Sequence, residues 1–342
     1  MSGTSLDGLD IALCTFNVTE NHYSYSIIAA ETVHYDNSLQ SELFNAYRSN
    51  GMDLMHLNAT YGRYLGEQAK LFLEKTGFTA DAIASHGHTI FHQPEKGFST
   101  QIGNGASLAA AAGLTTVCDF RSVDIALSGQ GAPLVPIGDE LLFSNYQSCL
   151  NLGGIANISF RNNSHTRTAF DICVCNMALN YLANKNGQAF DNGGTIARGG
   201  NTDEKLLHCL NNLAYFKQTK NKSLGYEWFE KNIKPLLDEG DVQINLRTFS
   251  EHIAIQITKV LIENGIDQVL ITGGGAYNRF LTERLQVMSG AKIIIPDDTT
   301  IQFKEALIFA FLGYLRLNHK TNILKSVTGA LQDSIGGAVY LM

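Results

Sequence analysis

Proline is scarce in this chain of 342 residues, with five in all, and tryptophan occurs once. No low-complexity tract or clear linker interrupts the sequence. No apolar run approaches the roughly 18 residues that mark a membrane-spanning helix, and no basic n-region precedes a hydrophobic stretch as in a signal peptide. A membrane partner is therefore not expected, and the cytoplasm is the expected compartment. Positive charge is also in short supply: 25 Lys and Arg face 32 Asp and Glu, for a net charge of −7, with no dense basic block. That argues against nucleic acid as a partner. Of the six cysteines, Cys14, Cys118, Cys149 and Cys173 sit at the ends of apolar runs, where reduced, buried thiols are expected. Cys173 and Cys175 would share a strand face with no histidine nearby, which is not the close four-ligand set of a zinc site.

What the chain does contain is hydrophobic residues (44%) and 32 glycines, enough for a large core. Length favours two domains or one elaborate one, and a similar mix of elements restarts near residue 145. The expected division is 1–140 together with roughly 320–342 as one domain, and 141–319 as the other.

Three glycine turns stand out: residues 1–10 (MSGTSLDGLD), 151–157 (NLGGIAN) and 273–278 (GGGAYN). The second and third follow apolar runs that read as strands. Glycine lets backbone N–H groups converge on phosphate oxygens without a side-chain clash. Thr4 and Ser5 add hydroxyl donors, and Asp7 or Asp10 could hold Mg²⁺ through water. Any one such turn reads more readily as an ordinary tight turn. Three together point to a nucleotide held by its phosphates and its nucleoside, with Gly273–Gly275 as a flat shelf for the base.

Periodicity predicts strands at residues 10–16, 23–34, 83–85, 115–118, 148–152, 155–160, 168–172, 268–272 and 292–295. Leu54, Leu57, Tyr61, Leu65 and Phe72 recur at helical spacing, with Gly77 where a C-cap belongs. Phe249, Ile253, Ile257, Val260 and Leu261 mark a second helix that ends near Gly265. Residues 305–317 form a strongly apolar third.

Several polar residues sit where chemistry is feasible. Asp171 closes an apolar strand and is either a helix N-cap for residues 172–184 or a general base that takes a proton from water or a sugar hydroxyl. Asp119, Arg121, Asp124 and Gln130 surround a Gly-Gln-Gly-Ala-Pro turn, where they either recognise a sugar with a carboxylate arm or staple the loop through an internal ion pair. His86, His88 and His92 suit substrate-side hydrogen bonds or strand-edge packing better than a metal site. Glu305 opens the third helix as a first-turn charge or as a contact to a sugar hydroxyl.

Together the segments MSGTSLDG, SHGHTIFHQP, TQIGNGASLA, DFRSVDIALSGQGAPLVP, LNLGGIANIS, AFD…N and TGGGAYN, in this order, closely resemble the anhydro-N-acetylmuramic acid kinases. The resemblance covers essentially the whole chain, to VTGA at residues 327–330. It implies an α/β fold of two domains, of the sugar kinase, Hsp70 and actin type with duplicated ribonuclease H-like halves and an interdomain cleft for ATP. The implied reaction opens the 1,6-anhydro ring of anhydro-N-acetylmuramic acid with water and phosphorylates O6, in peptidoglycan recycling. ATP and Mg²⁺ are the implied cofactors, an anhydro amino sugar is the other partner, and a homodimer is the assembly to test for.

By resemblance, Gly3, Thr4, Ser5, Leu6, Asp7, Gly8, Leu9 and Asp10 form the first ATP phosphate loop, with Asp7 as the Mg²⁺ ligand. Asn151, Gly153, Gly154 and Asn157 form the second phosphate loop, and Gly273, Gly274, Gly275 and Asn278 face the nucleoside. Asp171 matches the catalytic base, while Asp119, Arg121, Gln130, Asn176 and Glu305 lie on the sugar side.

Three departures stand beside the match. The family's Thr-Gly-Pro-Gly-Asn run after the catalytic Asp is Ile172-Cys173-Val174-Cys175-Asn176 here, Tyr226 replaces an Arg, and no strand precedes MSGTS. From the last, either the first strand begins at residue 10 or the chain continues upstream. The alternatives are a kinase of a related amino sugar and a weakly catalytic nucleotide- or sugar-binding relative.

Overall fold

The computed structural model describes every residue except 4, 5, 7, 21 and 219–222. Its strands are β1 (Leu9–Thr19), β2 (His22–Val33), β3 (Ile83–Ala84), β4 (His88–Gln93), β5 (Phe98–Ile102), β6 (Thr116–Cys118), β7 (Ser148–Leu152), β8 (Ile155–Arg161), β9 (Arg167–Val174), β10 (Gln268–Thr272), β11 (Lys292–Ile294) and β12 (Ala338–Tyr340). With the helices between them they form two compact α/β units. Unit 1 comprises Met1–Leu142 and Phe303–Met342, and unit 2 comprises Phe143–Gln302.

In unit 1, β1 and β2 make a long antiparallel hairpin from Leu9↔Val33 to Thr19↔His22, with an irregularity at Leu13/Cys14. A three-stranded sheet runs in the order β12-β6-β3, and β4 pairs with β5. The helix Gly51–Thr76 starts where Asn50 accepts from the Asp53 N–H at 3.0 Å, and stops at Gly77, whose φ of 72° ends the α-helical run. Its Tyr61 and Leu65 pack with Leu6, Leu9, Leu43, Ile102 and Leu108 in one apolar cluster.

Unit 2 is built on one mixed sheet in the order β11-β10-β7-β8-β9. β7, β8 and β9 form an antiparallel meander, and β10 runs parallel to both β7 and β11. The helix Val242–Glu263, capped by Asp241, packs on this sheet with Phe249, Ile253, Ile257 and Leu261 fully buried.

Two helix expectations need correction. Asp171 caps no helix: it lies inside β9, and the next helix is Asn176–Lys185, entered from Cys175. Nor does Glu305 sit in a first turn. Its helix is Asp298–Leu317, begun earlier because the Asp297 carboxylate accepts from the Thr300 N–H at 2.9 Å. All three residues of the Ile172–Val174 stretch, and Cys175, are buried in the apolar core of unit 2.

Candidate active site

Register in unit 2 places Asn157 opposite Asn151 across β7–β8 and opposite Asp171 across β8–β9, with Thr272 of β10 beside Asn151. Directly opposed residues on neighbouring strands project to the same face. The sheet therefore carries a polar row of Thr272, Asn151, Asn157 and Asp171, drawn from four strands whose sequence neighbours are apolar.

Asp171 is held by two contacts from a later segment. The Leu224 N–H donates to its Oδ2 at 2.8 Å, and the Tyr215 hydroxyl donates to its backbone oxygen at 2.6 Å. Burial raises the carboxyl pKa above the usual value, against the opposing pull of the Leu224 hydrogen bond. A half-buried carboxylate with raised basicity is suited to proton abstraction. Burial, with Asp171 as the next cause, raises the Tyr215 phenol too, so Tyr215 stays a neutral donor. Neither Leu224 nor Tyr215 is a sequence-level candidate. A backbone N–H carries no residue signature, and the tyrosine lies 44 positions from its partner.

Beside this row the two glycine turns of unit 2 meet. Gly153 and Gly154 link β7 to β8, and their carbonyls accept from the N–H groups of Asn176, Cys175 and Met177 at 3.1, 2.8 and 3.2 Å. The Asn176 side chain donates to Leu152 O at 2.8 Å. Gly273 has φ 81°, and a Cβ there would fall 2.4 Å from Asn151 Oδ1; one on Gly275 would fall 2.6 Å from Leu152 Cβ. Glycine is required at both for the third turn to lie against the second. The Asn278 side chain turns instead to its own helix, where Oδ1 accepts from the Leu281 N–H at 3.0 Å and caps Arg279–Ser289.

In unit 1, Arg121 donates from Nε and Nη2 to His86 Nε2 at 3.2 and 2.7 Å, and from Nη1 to Gly131 O at 2.5 Å. A guanidinium has only donors, so His86 Nε2 carries the lone pair and Nδ1–H faces Gly87 O at 3.0 Å. Burial, reinforced by Arg121, holds His86 well below its ordinary pKa. Burial also lowers Arg121, to about 10, while Glu305 pulls the other way. Glu305 keeps solvent access, yet desolvation of its carboxyl raises its pKa against the attraction of Arg121.

No ion pair staples the Gly-Gln-Gly-Ala-Pro loop among the described residues. Buried Asp124 holds it through hydrogen bonds, with Oδ2 accepting from the Gly131 N–H at 2.7 Å and Oδ1 from Thr328 Oγ1 at 2.7 Å. The Gln130 N–H donates to Thr328 O at 2.9 Å. Asp119 accepts from the Ser122 hydroxyl and N–H at 2.6 and 3.3 Å.

In the opening loop, Thr4, Ser5 and Asp7 lie outside the described residues. Leu6 and Leu9 place their side chains in the apolar cluster, so only their backbone is left for a ligand. The Gly3 carbonyl accepts from the Leu6 N–H at 3.4 Å, Gly8 lies against Thr32 and Val33, and Asp10 Oδ1 accepts from Thr32 Oγ1 at 2.6 Å. Ser2 joins a buried chain of polar groups, 3.0 Å from His88 Nδ1 and accepting from the Tyr35 hydroxyl at 2.8 Å. No cluster of three or more His, Cys, Asp or Glu suited to a metal occurs among the described residues. No helix among them is long and apolar enough to cross a membrane.

Residues 1–342 match the family described as anhydro-N-acetylmuramic acid kinase. The curated protein of that name from Sulfurimonas denitrificans is 34% identical, covering 99% of this chain and 98% of that one. The one from Shewanella halifaxensis is 33% identical over 99% and 97%. Among solved structures, the activator of the 2-hydroxyisocaproyl-CoA dehydratase from Clostridium difficile with bound ADPNP matches 87% of this chain and 92% of that one, at 12% identity and a TM-score of 0.40. On its full-length match and these relatives, the chain belongs to the anhydro-N-acetylmuramic acid kinase family.

Proposed function

We propose that this enzyme uses ATP to open the 1,6-anhydro ring of anhydro-N-acetylmuramic acid and to phosphorylate O6, giving N-acetylmuramic acid 6-phosphate for peptidoglycan recycling. The observation that carries this reading is the Asn151–Asn157–Asp171 row, which ends in a half-buried carboxylate of raised pKa.

In this reading Asp171 takes a proton from a water as that water's oxygen bonds to the anomeric carbon. The C1–O6 bond breaks, and O6 leaves with its electron pair toward the γ-phosphorus of ATP. Phosphoryl transfer to O6 releases ADP, and the proton remains on Asp171. One base serves both events, because bond cleavage itself generates the phosphoryl acceptor. The N–H groups of the Gly153–Gly154 turn are the donors offered to the phosphates, since fixed backbone dipoles stabilise developing charge without reorganising.

Mg²⁺, when bound, neutralises phosphate charge. It usually takes one or two carboxylates and completes its shell with phosphate and water, a donor set that Asp10 and Asp7 fit in kind. Arg121 and Glu305 are the sugar-side pair, one cation for a carboxylate arm and one acceptor for a hydroxyl. ATP as phosphoryl donor assigns the reaction to the cytoplasm.

The altered 172–175 run does not favour another acceptor, because its side chains are spent on the core of unit 2. The test is to mix the purified chain with ATP, Mg²⁺ and anhydro-N-acetylmuramic acid and to assay ADP and the sugar phosphate by mass spectrometry. Formation of both in equal amounts is expected. Nucleotide binding without ADP release on any amino sugar would instead identify a binding relative.

A further inference from the structure

Asp171 sits where its strand is least constrained. Among the described residues, β9 is the outer strand of the unit 2 sheet, with β8 on one side and no strand on the other. Its register with β8 also slips here: Asn157 faces Asp171 while Ala156 faces Cys173, so Ile172 stands opposite no residue of β8. A bulge of this kind breaks the ladder locally and re-aims the neighbouring side chain. Strand pairing therefore leaves the direction of the Asp171 carboxylate open. Catalysis does not tolerate that freedom, since a displacement of about 1 Å at a reacting group can cost ~10²-fold in rate.

The Tyr215 hydroxyl supplies a fixed point, donating to the Asp171 backbone oxygen at 2.6 Å. It can do so only because its ring is itself held. Tyr215 is buried, with its ring 5.3 Å from that of Trp228 and 5.4 Å, edge-on, from that of Phe216. Phe216 in turn meets the His252 imidazole edge-on at 5.0 Å. His252 lies fully buried on the helix Val242–Glu263. Asn211 Oδ1 accepts from His252 Nδ1 at 2.7 Å and from Gln256 Nε2 at 2.8 Å. An amide oxygen has no hydrogen to give, so His252 carries its proton on Nδ1. Burial keeps that ring neutral, with its pKa lowered to about 3. Asn211 closes the helix Glu204–Asn211, just ahead of the turn Ala214–Lys217 that carries Tyr215. His252 and Gln256 thus clasp this segment to their own helix through Asn211, and the aromatic rings fill the space between.

We propose that Tyr215 is a positioning residue for the reaction: its hydroxyl, held by the aromatic stack and the Asn211–His252–Gln256 clasp, fixes the Asp171 backbone at the bulge and so aims the carboxylate at the water it deprotonates. This role rests on the reading of Asp171 as the base. The Leu224 N–H tethers the carboxylate itself, so the backbone and the side chain of Asp171 each have one anchor. Tyr215 spends its hydroxyl on a backbone oxygen and therefore acts through Asp171. Burial raises the phenol pKa, so the O–H stays a donor throughout the working pH range. The positive end of that O–H dipole faces Asp171 and favours its charged form.

Tyr215→Phe removes the hydroxyl and keeps the ring. Its kcat should fall by about tenfold, within the ~10²-fold that a 1 Å misplacement costs, with KM for ATP and for the sugar unchanged. The acid limb of its pH profile should move to higher pH, because the carboxylate loses a favourable dipole. Trp228 is the single tryptophan of the chain and packs on Tyr215, so its fluorescence reports whether the stack survives. A native spectrum and Tm are expected. If Tyr215→Phe disturbs the stack, Asn211 carries the test. Asn211→Ala removes the acceptor of the clasp and should lower kcat at unchanged KM, and Asn211→Asp, which keeps an acceptor for both donors, should restore it. Native kcat with an unmoved acid limb in Tyr215→Phe would overturn the positioning role. So would a loss confined to KM, a loss equal to the unfolded fraction, or equal kcat in the two Asn211 variants. Asp171→Asn in the same assay keeps the two readings apart. Near-native turnover there removes the base itself, whereas lost turnover there beside native kcat in Tyr215→Phe removes only the role of Tyr215.

Discussion

The Leu224 N–H donates to Asp171 Oδ2 at 2.8 Å, although the two residues are 53 positions apart. The contact orients the carboxylate while leaving Oδ1 for a water, and it opposes part of the pKa rise that burial imposes. A base that is oriented but not fully neutralised by its partners is what proton abstraction from water requires.

Asp171→Asn keeps an acceptor for the Leu224 N–H and should preserve the fold. Turnover should fall by at least ~10²-fold, the lower range for loss of an acid–base group, with nucleotide affinity unchanged. Steady-state ADP release and nucleotide titration calorimetry measure the two separately; near-native turnover would remove Asp171 from its role.

The pH profile follows from the same residue. As the proposed base, Asp171 would work only when deprotonated, and its pKa is raised. The acid limb of kcat/KM should therefore have its midpoint above the ~3.9 of an ordinary aspartate, with activity lost as pH falls through it. That limb should vanish in the residual activity of Asp171→Asn.

Stability should also decline in mild acid. Burial lowers His88 to about 4, so between about 6.5 and 4 the unfolded chain binds the proton that the folded chain refuses. Unfolding free energy then drops as pH falls through that window, by about 3 kcal/mol from this residue. Urea titrations at several pH values should show the loss, and His88→Gln should reduce it. His86 and His252, also lowered by burial, act in the same direction and leave a remainder.

Two glycine substitutions should separate fold from ligand. A Cβ on Gly275 meets Leu152 Cβ at 2.6 Å and Leu152 O at 2.9 Å, so Gly275→Ala should cost about 1–3 kcal/mol as overpacking does. On Gly154 the nearest atom to a new Cβ is Met177 Cε at 3.7 Å, an ordinary contact. Gly154→Ala should leave Tm unchanged and, on the proposed phosphate role of this turn, weaken ATP binding. Thermal melts with and without ATP distinguish the two outcomes.

Thr328→Val takes from the buried Asp124 carboxylate a donor that lies 204 positions away in sequence. The expected cost is about 1–3 kcal/mol for a buried acceptor left unsatisfied. The sugar KM should rise with it, since Asp124 also holds the Gly131 N–H beside the carbonyl that receives Arg121. Chemical denaturation and initial rates at varied sugar concentration read these effects.

Much of the framework was legible in the chain because strands and helices follow local periodicity. Alternation located β2, and apolar runs located β7, β8 and β10. Helical spacing with Gly77 as cap located the 51–76 helix. Capping was less legible. Asp171 looks like an N-cap in sequence but is a strand residue, because Cys173, Val174 and Cys175 carry the chain onward into the core before the helix begins. Glu305 looks like a helix start, but Asp297 begins the helix earlier.

The sequence alone determined the family and the residue types offered for chemistry, because these rest on ordered motifs and on hydrophobic period. Only the tertiary structure decided what each polar residue touches. It gave Asp171 to Leu224 and Tyr215, Arg121 to His86 and Gly131, Asp124 to Thr328, and Asn278 to its own helix. Hydrogen-bond partners and cavities depend on which distant segments pack together, and local pattern carries no record of that.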